Sequence, residues 1–319
     1  MSHVQITESL SPQQAEDVAA LAEEARGSDG TAPISEQGLL RVRYGADPGA
    51  VRFHLLYEEA GDGPDVLRGF GGIERSPGEP DSAELVVAPE HRRRGLGGWL
   101  LRSLVEDAAP EGMRVWAHGD LPGAKALAAA AGLGRARSLW RMVLPLRPSA
   151  PVAEPPVSPE LDRRVEIRPF RVGADDQAWL TVNARAFADH PEQGGITLAD
   201  LRQRQAEPWF DPEGFFVAED VESGALAGYH WTKTHADGAG LTDGAPAGEV
   251  YAVGVDPDWH GMGLGRTLTA TGLRHLERQG LTLVLLYVDE DNRAAVRLYE
   301  SLGFTLADAD VMYRTPGTP

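Results

Sequence analysis

The pattern of apolar and polar positions occurs twice along the chain, in the same order in each half. In the first half, an apolar strand pattern at Glu84–Ala88 runs into a proline and a glycine-rich segment, Arg92–Gly97. In the second half, Val250–Val255 is followed by a proline and by His260–Gly265. Each segment predicts a strand, a tight loop and the start of a helix, so the pattern indicates a tandem repeat.

The segments that follow the two glycine loops also agree. Apolar residues at helical spacing predict a helix after each loop, and then a strand, a second helix and a final strand. The strands are predicted at Met113–Ala117, Leu139–Leu144, Leu281–Val288 and Val311–Arg314. The second helices are predicted at Ala124–Ala131 and Arg293–Leu302, and each ends on a glycine, Gly132 or Gly303, where a left-handed cap is easily formed.

A proline-rich stretch separates the two halves. Six prolines between Pro145 and Pro159 predict an extended linker. A strand pattern restarts at Arg164–Arg168, and Val4–Ile6 is its counterpart in the first half. We therefore expect a first domain at 1–145, a linker at 146–163 and a second domain at 164–319.

The two glycine loops predict a site for phosphate groups. Glycine lets several backbone N–H groups converge on one point, and the following helix adds the positive end of its dipole. The loops lack the GKS or GKT ending of a nucleotide-binding P-loop. They also lack the acidic residue that follows the glycines of a dinucleotide site.

Composition narrows the classes of function. The chain has 319 residues, 42% of them hydrophobic, and no cysteine, which excludes disulfides, thiolate metal sites and cysteine nucleophiles. The formal net charge of -18 disfavours nucleic-acid binding and suits either solubility or a cationic substrate. No stretch has the apolar length of a membrane span, and Met1–Leu10 lacks a signal-peptide pattern. We expect a cytoplasmic monomer without a metal.

The quoted motifs resemble the GCN5-related N-acetyltransferase (GNAT) superfamily. Arg92–Gly97 matches its motif A, Gln/Arg-x-x-Gly-x-Gly/Ala, while the second copy has His260 at the first position. Asn292–Phe304 resembles its motif B, NxxAxxxYxxxGF. The resemblance implies two tandem α/β (α+β) folds, each with a mixed central sheet, flanking helices and a V-shaped cleft for acetyl-CoA. It implies these cofactor contacts: Val86, Val87, Ala88, Arg92, Arg93, Arg94, Gly95, Leu96, Gly97, Val253, Gly254, Val255, His260, Gly261, Met262, Gly263, Leu264, Gly265, Arg266, Asn292, Arg293, Ala294, Ala295, Val296 and Arg297.

Aligning the two halves indicates which copy is catalytic. Tyr299 corresponds to Ala128 when the closing glycines are matched, and Glu249 corresponds to Ser82 when Val253–Val255 is placed on Val86–Ala88. A carboxylate can take the proton of an attacking amine, and a phenol can protonate the departing thiolate. We therefore predict Glu249 as general base and Tyr299 as general acid, with a degenerate first domain that retains only structure or cofactor binding. The alternatives are a strand-end acid for Glu249 and a core aromatic for Tyr299.

Within the superfamily, the whole chain resembles tandem-domain actinobacterial enzymes that acetylate the cysteinyl amine of a cysteine–glucosamine–inositol conjugate. The most specific segment is His190–Gly194, in which we interpret His190 as a structural loop residue. The resemblance implies substrate contacts at Glu36, Glu192, Lys233, Glu249 and Tyr287. A tandem acetyltransferase for a polyamine, an aminoglycoside or a protein N-terminus remains an alternative, as does an acetyl-CoA-binding module without turnover.

Overall fold

The fold is described from a computed structural model. It describes residues 2–59, 63–75, 78–147, 149–154, 157–188, 191–238, 242 and 244–315, without the side chains of 191 and 192. Within these ranges the helices are too short or too polar to cross a membrane.

The strands are β1 (Ser2–Thr7), β2 (Val51–Glu58), β3 (Val66–Glu74), β4 (Asp81–Val87), β5 (Met113–Ala117), β6 (Gly134–Pro145), β7 (Val165–Pro169), β8 (Phe215–Asp220), β9 (Leu226–His235), β10 (Ala247–Val255), β11 (Leu283–Asp289) and β12 (Thr305–Arg314). The helices are α1 (Pro12–Asp29), α2 (Glu36–Tyr44), α3 (Leu96–Asp107), α4 (Pro122–Ala130), α5 (Pro159–Arg164), α6 (Asp176–Ala186), α7 (Pro191–Gly194), α8 (Leu198–Gln205), α9 (Leu264–Arg278) and α10 (Arg293–Ser301).

The chain forms two compact units. The first contains the described residues of 1–140, 289–291 and 308–319, and the second contains 141–288 and 292–307. Strand β6 is divided between them after Trp140. The repeat, its predicted strands and its glycine-capped helices are confirmed: Gly132 and Gly303 have φ values of 70° and 96°.

The first unit is a mixed sheet in the order β1-β2-β3-β4-β5-β12. Neighbours are antiparallel except β4 and β5, which run parallel. The C-terminal strand β12 pairs with β5, with Met312 opposite Trp116. The sequence repeat assigns this strand to the second copy, whereas its described residues from Asp308 onward belong to the first unit. Strand pairing is thus independent of the order along the chain, and the expected domain range 164–319 stays a prediction.

The second unit repeats the sheet in the order β11-β10-β9-β8-β7, with β10 and β11 parallel. Its core on one face of the sheet is aromatic, with Trp179, Phe215, Tyr229 and Trp231 fully buried in mutual contact. The helix α9 covers the other face, where Leu268 and Leu276 lie close to Gly228 and Gly248. One face of β9 and β10 therefore packs on α9, and the opposite face carries the aromatic core.

The described part of the linker is hydrogen-bonded to the second unit. The Leu146 N–H donates to the carbonyl of Thr282 at 2.8 Å, and the Val152 N–H lies 3.2 Å from the Glu277 carboxylate. The linker also ends in a helix, α5, that the sequence analysis did not predict. Its N-cap is Ser158, whose hydroxyl accepts from the N–H of Leu161. A serine before a proline is a helix-start signal that the proline-rich context obscured.

Candidate active site

In each unit, two neighbouring parallel strands pair over only part of their length. In the second unit, β10 and β11 pair only from Gly248 to Val250, although both strands continue beyond that point. In the first unit, β4 and β5 pair only over Asp81–Ala83. Beyond these residues, the two strands do not pair with each other, which is the geometry that an extended ligand needs in order to enter between them. The family resemblance implies a V-shaped opening at this place.

Among the described residues, the antiparallel pair next to these strands has a bulge in the second unit and none in the first. The register between β9 and β10 shifts between Val250 and Ala252, which makes Tyr251 an additional residue. The equivalent pair, β3 and β4, is regular over all its register pairs. A bulge turns the backbone locally and often lies next to an active site. It can therefore direct the N–H groups that follow it toward the cleft.

The bulge also corrects the alignment of the two copies. Glu249 and Ser82 hold the same place in their parallel pairs, so that part of the alignment is confirmed. After Tyr251 the correspondence moves by one residue. Arg92 contacts the carbonyl of Val87, and His260 contacts that of Val255, so Val255 matches Val87 rather than Ala88.

Glu249 lies on the same face of the sheet as two basic side chains of β9. Lys233 is its direct cross-strand neighbour, and His235 is two residues further on the same face. The Nε2 of His235 lies 2.5 Å from Oε2 of Glu249. Burial alone would raise the pKa of Glu249, but the hydrogen bond from His235 and the charges of His235 and Lys233 lower that pKa below its usual value. Glu249 is thus a buried, ionised carboxylate rather than an exposed strand-end acid.

Tyr299 is buried on the inner face of α10. Its ring contacts Phe304 edge-on at 5.8 Å, and burial raises the pKa of its phenol to about 12. Burial also raises the pKa of Tyr229, and the electrostatic influence of Tyr299 raises that pKa further. Tyr229 itself lies against β10, since a Cβ on Gly254 would meet its ring at 2.5 Å. The phenol of Tyr299 is protonated at neutral pH and can donate a proton.

The two glycine loops have the same backbone but different residues. Gly261 and Gly263 have φ values of 79° and 86°, and a Cβ on either would meet nothing within 4 Å. In the first loop, Gly95 has φ 85°, but Arg93 adopts φ 62° where the second loop has Gly261. A non-glycine residue in this region is strained. Both loops leave the helix N-terminus without a side-chain cap and open to an anion.

The side chain of Arg92 is held by protein groups. Its guanidinium donates to both oxygens of Asp29 at 2.7 and 2.8 Å and to the carbonyl of Val87 at 3.0 Å. His260 replaces only the last of these contacts, through a 3.1 Å approach of Nε2 to the Val255 carbonyl. Arg92 and His260 therefore shape their loops by holding the preceding strand, and phosphate contacts there would come from backbone N–H groups.

Helix α10 carries the remaining predicted cofactor contacts. Asn292 caps the helix, as predicted, since its Oδ1 accepts from the Ala295 N–H at 3.1 Å. Arg293, Ala294 and Arg297 are exposed. Arg266 at the start of α9 donates to the hydroxyl of Ser301 at 2.7 Å, which joins the two helices.

The predicted substrate residues fall into three groups. Lys233, Glu249 and Tyr287 share one face of three neighbouring strands, because Glu249 is level with Leu285 and Tyr287 is two residues further. Tyr287 is 40% exposed. Glu36 begins α2 in the first unit. The side chain of Glu192 and the loop residue His190 lie outside the described part of the chain.

Three further contacts around this face were missed by sequence reasoning. Lys233 lies over the Trp209 ring at 4.5 Å, and the Tyr251 hydroxyl accepts from Nε of Arg204 at 2.9 Å. His235 contacts the proposed base directly. The only available signal for His235 was its spacing of two residues from Lys233, which places both side chains on one face of a strand.

The first unit has neither reactive group at the equivalent positions. Ala128 is buried where the second copy has Tyr299, and Ser82 replaces Glu249. The nearby carboxylate of Glu84 accepts from the Ser35 N–H at the start of α2 and lies 2.8 Å from His118. Glu84 therefore anchors a helix, and its side chain is not available as a substitute base.

Comparisons with known proteins agree with this description. The model of the Acetyltransferase (GNAT) family matches residues 20–134 and 180–304. A relative from Thermobifida fusca, called mycothiol acetyltransferase, is 63% identical and covers 98% of each chain. A second, from Nocardiopsis dassonvillei and with the same name, is 57% identical over 98% of this chain and 96% of its own.

Solved structures show the same fold. A tandem GNAT protein from the clavulanic acid biosynthesis pathway superposes with a TM-score of 0.71 at 19% identity, covering 100% of this chain and 99% of its own. A GCN5-related N-acetyltransferase from Sphaerobacter thermophilus has a TM-score of 0.64 at 23% identity, covering 99% and 97% of the two chains. Two copies of one fold, each with a glycine loop and a splayed strand pair, thus match the family along most of the sequence. The chain belongs to the acetyltransferase (GNAT) family.

Proposed function

We propose that the chain transfers acetyl from acetyl-CoA to the cysteinyl amine of 1D-myo-inositol 2-(L-cysteinylamino)-2-deoxy-α-D-glucopyranoside, giving mycothiol and CoA. Relatives at 63% and 57% identity over nearly the whole chain are called mycothiol acetyltransferase, which supports this acceptor. The single structural observation that carries the proposal is the buried, ionised Glu249 beside the splayed strands. The chain would act in the cytoplasm as a monomer.

The second unit has the features needed to hold acetyl-CoA. The open, left-handed glycines of its loop suit a diphosphate, and the exposed Arg293 and Arg297 add positive charge nearby. Asn292 and the part of β10 that does not pair with β11 would hold the rest of the molecule. When bound, acetyl-CoA supplies an acyl thioester, which is the electrophile of the reaction.

The residues around the cleft then manage protons and charge. Glu249 takes a proton from the acceptor ammonium, directly or through water, so that the free amine can attack. The N–H groups that follow the Tyr251 bulge stabilise the oxyanion that develops on the carbonyl oxygen. Tyr299 gives its proton to the departing sulfur as the C–S bond breaks, and the proton that the new amide nitrogen loses restores the phenol. Each step uses a group in the protonation state that its surroundings favour.

The acceptor would bind across the face that carries Lys233 and Tyr287. Its hydroxyls can accept from the Lys233 ammonium and exchange hydrogen bonds with the Tyr287 phenol. Glu36 and Glu192 would add carboxylates for the amine or for sugar hydroxyls. We assign turnover to the second unit and only structure or acetyl-CoA binding to the first.

The test is an assay of acetyl transfer by mass spectrometry. Mass detection is preferable to thiol release, because the acceptor itself carries a thiol. Purified protein is supplied with acetyl-CoA and either the cysteinyl conjugate, glucosaminyl-inositol without cysteine, spermidine or a short peptide. The proposal expects the cysteinyl conjugate to react with a kcat/KM at least about 100-fold above the others, since a site built around several polar groups discriminates strongly. An equal or faster rate with any other amine would refute the acceptor assignment.

A further inference from the structure

The buried contact between Glu249 and His235 has no role in the reaction as described so far. His235 is the last residue of β9, and its side chain is 20% exposed against 8% for Glu249. The two side chains approach to 2.5 Å although they belong to different strands. A carboxylate that accepts at one oxygen from a fixed donor cannot rotate freely, so its other oxygen keeps a constant direction.

We propose that His235 is a positioning residue for Glu249, and that its Nε2–H holds Oε2 so that Oε1 faces the acceptor amine. This inference rests on Glu249 being the base of the proposed function. His235 itself does not touch the reacting atoms. It orients the carboxylate and keeps it ionised inside a buried environment that would otherwise favour the neutral acid.

The other ionisable groups around Glu249 do not replace this contact. Lys233 is directly opposite on β9, but its ammonium lies over the Trp209 ring and acts on Glu249 through its charge. From β11, Tyr287 lies on the same face and is 40% exposed. Among the described residues, the pKa of Glu249 is lowered by His235 and Lys233, with the hydrogen bond of His235 as the largest favourable contribution.

Removal of His235 has two expected consequences. Without the donor, burial dominates and the pKa of Glu249 rises, so the acidic limb of the pH–rate profile moves to higher pH. Free rotation of the carboxylate lowers kcat as well. Binding of acetyl-CoA is unaffected, because the glycine loop and α10 lie on other elements.

The experiment compares His235→Ala, His235→Gln and the control Thr234→Ala in the full chain. Glutamine places an amide N–H near the position of Nε2 but carries no charge, whereas Thr234 points to the opposite face and contacts Gln279. The measurements are kcat, KM for both substrates and the pH dependence of kcat/KM. Profiles are compared between variants, so the ionisation of the acceptor cancels. Thermal unfolding of each variant verifies the fold.

We expect His235→Ala to lose roughly 10- to 100-fold in kcat, part of the ~10²–10⁴-fold that a general base contributes. The KM for acetyl-CoA stays within about twofold of wild type, the acidic limb shifts upward, and His235→Gln recovers most of the rate at neutral pH. An unchanged acidic limb in His235→Ala would overturn the proposal, whether or not the rate falls. If wild type prefers another amine, the proposed acceptor fails, and the same variants tested with that amine still decide the role of His235.

Discussion

The two copies share a scaffold and differ in the groups that move protons. Both have a glycine loop with left-handed residues, an uncapped helix N-terminus and a parallel strand pair that splays. Only the second has the Tyr251 bulge, the carboxylate at Glu249 and the phenol at Tyr299. The left-handed glycine loop and the proposed proton-transferring groups are therefore separable features of this fold.

The first copy uses its polar residues for structure. His118 lies 2.8 Å from Glu84 and 3.0 Å from Asp310, and the N–H of Gly119 donates to the same Asp310 at 2.7 Å. These contacts hold the end of β5 to the C-terminal strand β12 within one unit. In the first unit, charged side chains therefore stabilise packing. In the second unit, the comparable groups His235 and Lys233 surround Glu249.

The largest expected effect comes from removing the carboxylate that only the second copy has. Glu249→Gln keeps the shape of the side chain but cannot accept the proton, so kcat should fall by about 10²–10⁴-fold. The matched change in the first copy, Ser82→Ala, should leave kcat within about twofold. Steady-state kinetics of both variants measure this, and a comparable loss in both would abolish the distinction between the copies.

The next effect concerns the phenol. Tyr299→Phe removes the proton donor and preserves the ring contact with Phe304, so we expect kcat to fall roughly 10- to 100-fold while acetyl-CoA binding is unchanged. Because the pKa of Tyr299 is about 12, wild-type activity should not decline through this group until pH approaches that value. Stopped-time assays across pH test both points. Wild-type kinetics in Tyr299→Phe would leave Tyr299 as a core residue only.

The glycine loops allow a smaller but symmetrical test. Gly263→Ala and Gly95→Ala each place a side chain at a left-handed φ, which costs about 1–2 kcal/mol of strain. In the second loop this should raise the KM for acetyl-CoA by roughly 5- to 30-fold, as 1.4 kcal/mol corresponds to tenfold. The first-loop variant should keep the wild-type KM and kcat. Loss of activity from Gly95→Ala alone, with the fold intact by circular dichroism, would assign turnover to the first copy.

The smallest effect is on stability and is confined to the first copy. Burial lowers the pKa of His118, but its hydrogen bonds to Asp310 and Glu84 outweigh this and raise it to about 10. A raised pKa stabilises the fold fully below the unfolded value of about 6.5, and this contribution is lost as pH rises toward about 10. His118→Gln should therefore cost about 1–3 kcal/mol at pH below about 6.5 and less near pH 10.

Thermal unfolding across pH measures the stability effect of His118→Gln. The exposed His3 of β1 provides the control, since His3→Gln should change the midpoint little at any pH. A destabilisation by His118→Gln that is constant with pH would contradict a charged His118.

The sequence predicted most of the scaffold and only part of the site. Glycine at fixed places, a proline turn and an apolar strand are local signals, and so is Asn292 before a helix, which the structure confirms as a cap. The bulge at Tyr251 was not visible, because it depends on the register with β9 and not on the residues of β10. The same holds for two other features, the pairing of β12 with β5 and the contact of His235 with Glu249. Both depend on pairing between strands that are not predicted together from local sequence. Local patterns thus identified the elements, and non-local pairing determined how their side chains meet.

The most direct test of the catalytic assignment is a crystal structure of the protein with acetyl-CoA. We predict that the pantetheine enters between β10 and β11, with the thioester carbonyl at the N–H groups after Tyr251. The sulfur should lie within hydrogen-bond reach of the Tyr299 hydroxyl, and Glu249 should line the same cavity. A thioester bound with both of these side chains directed away from it, or a cofactor held only by the first copy, would show that Glu249 and Tyr299 are not the catalytic pair.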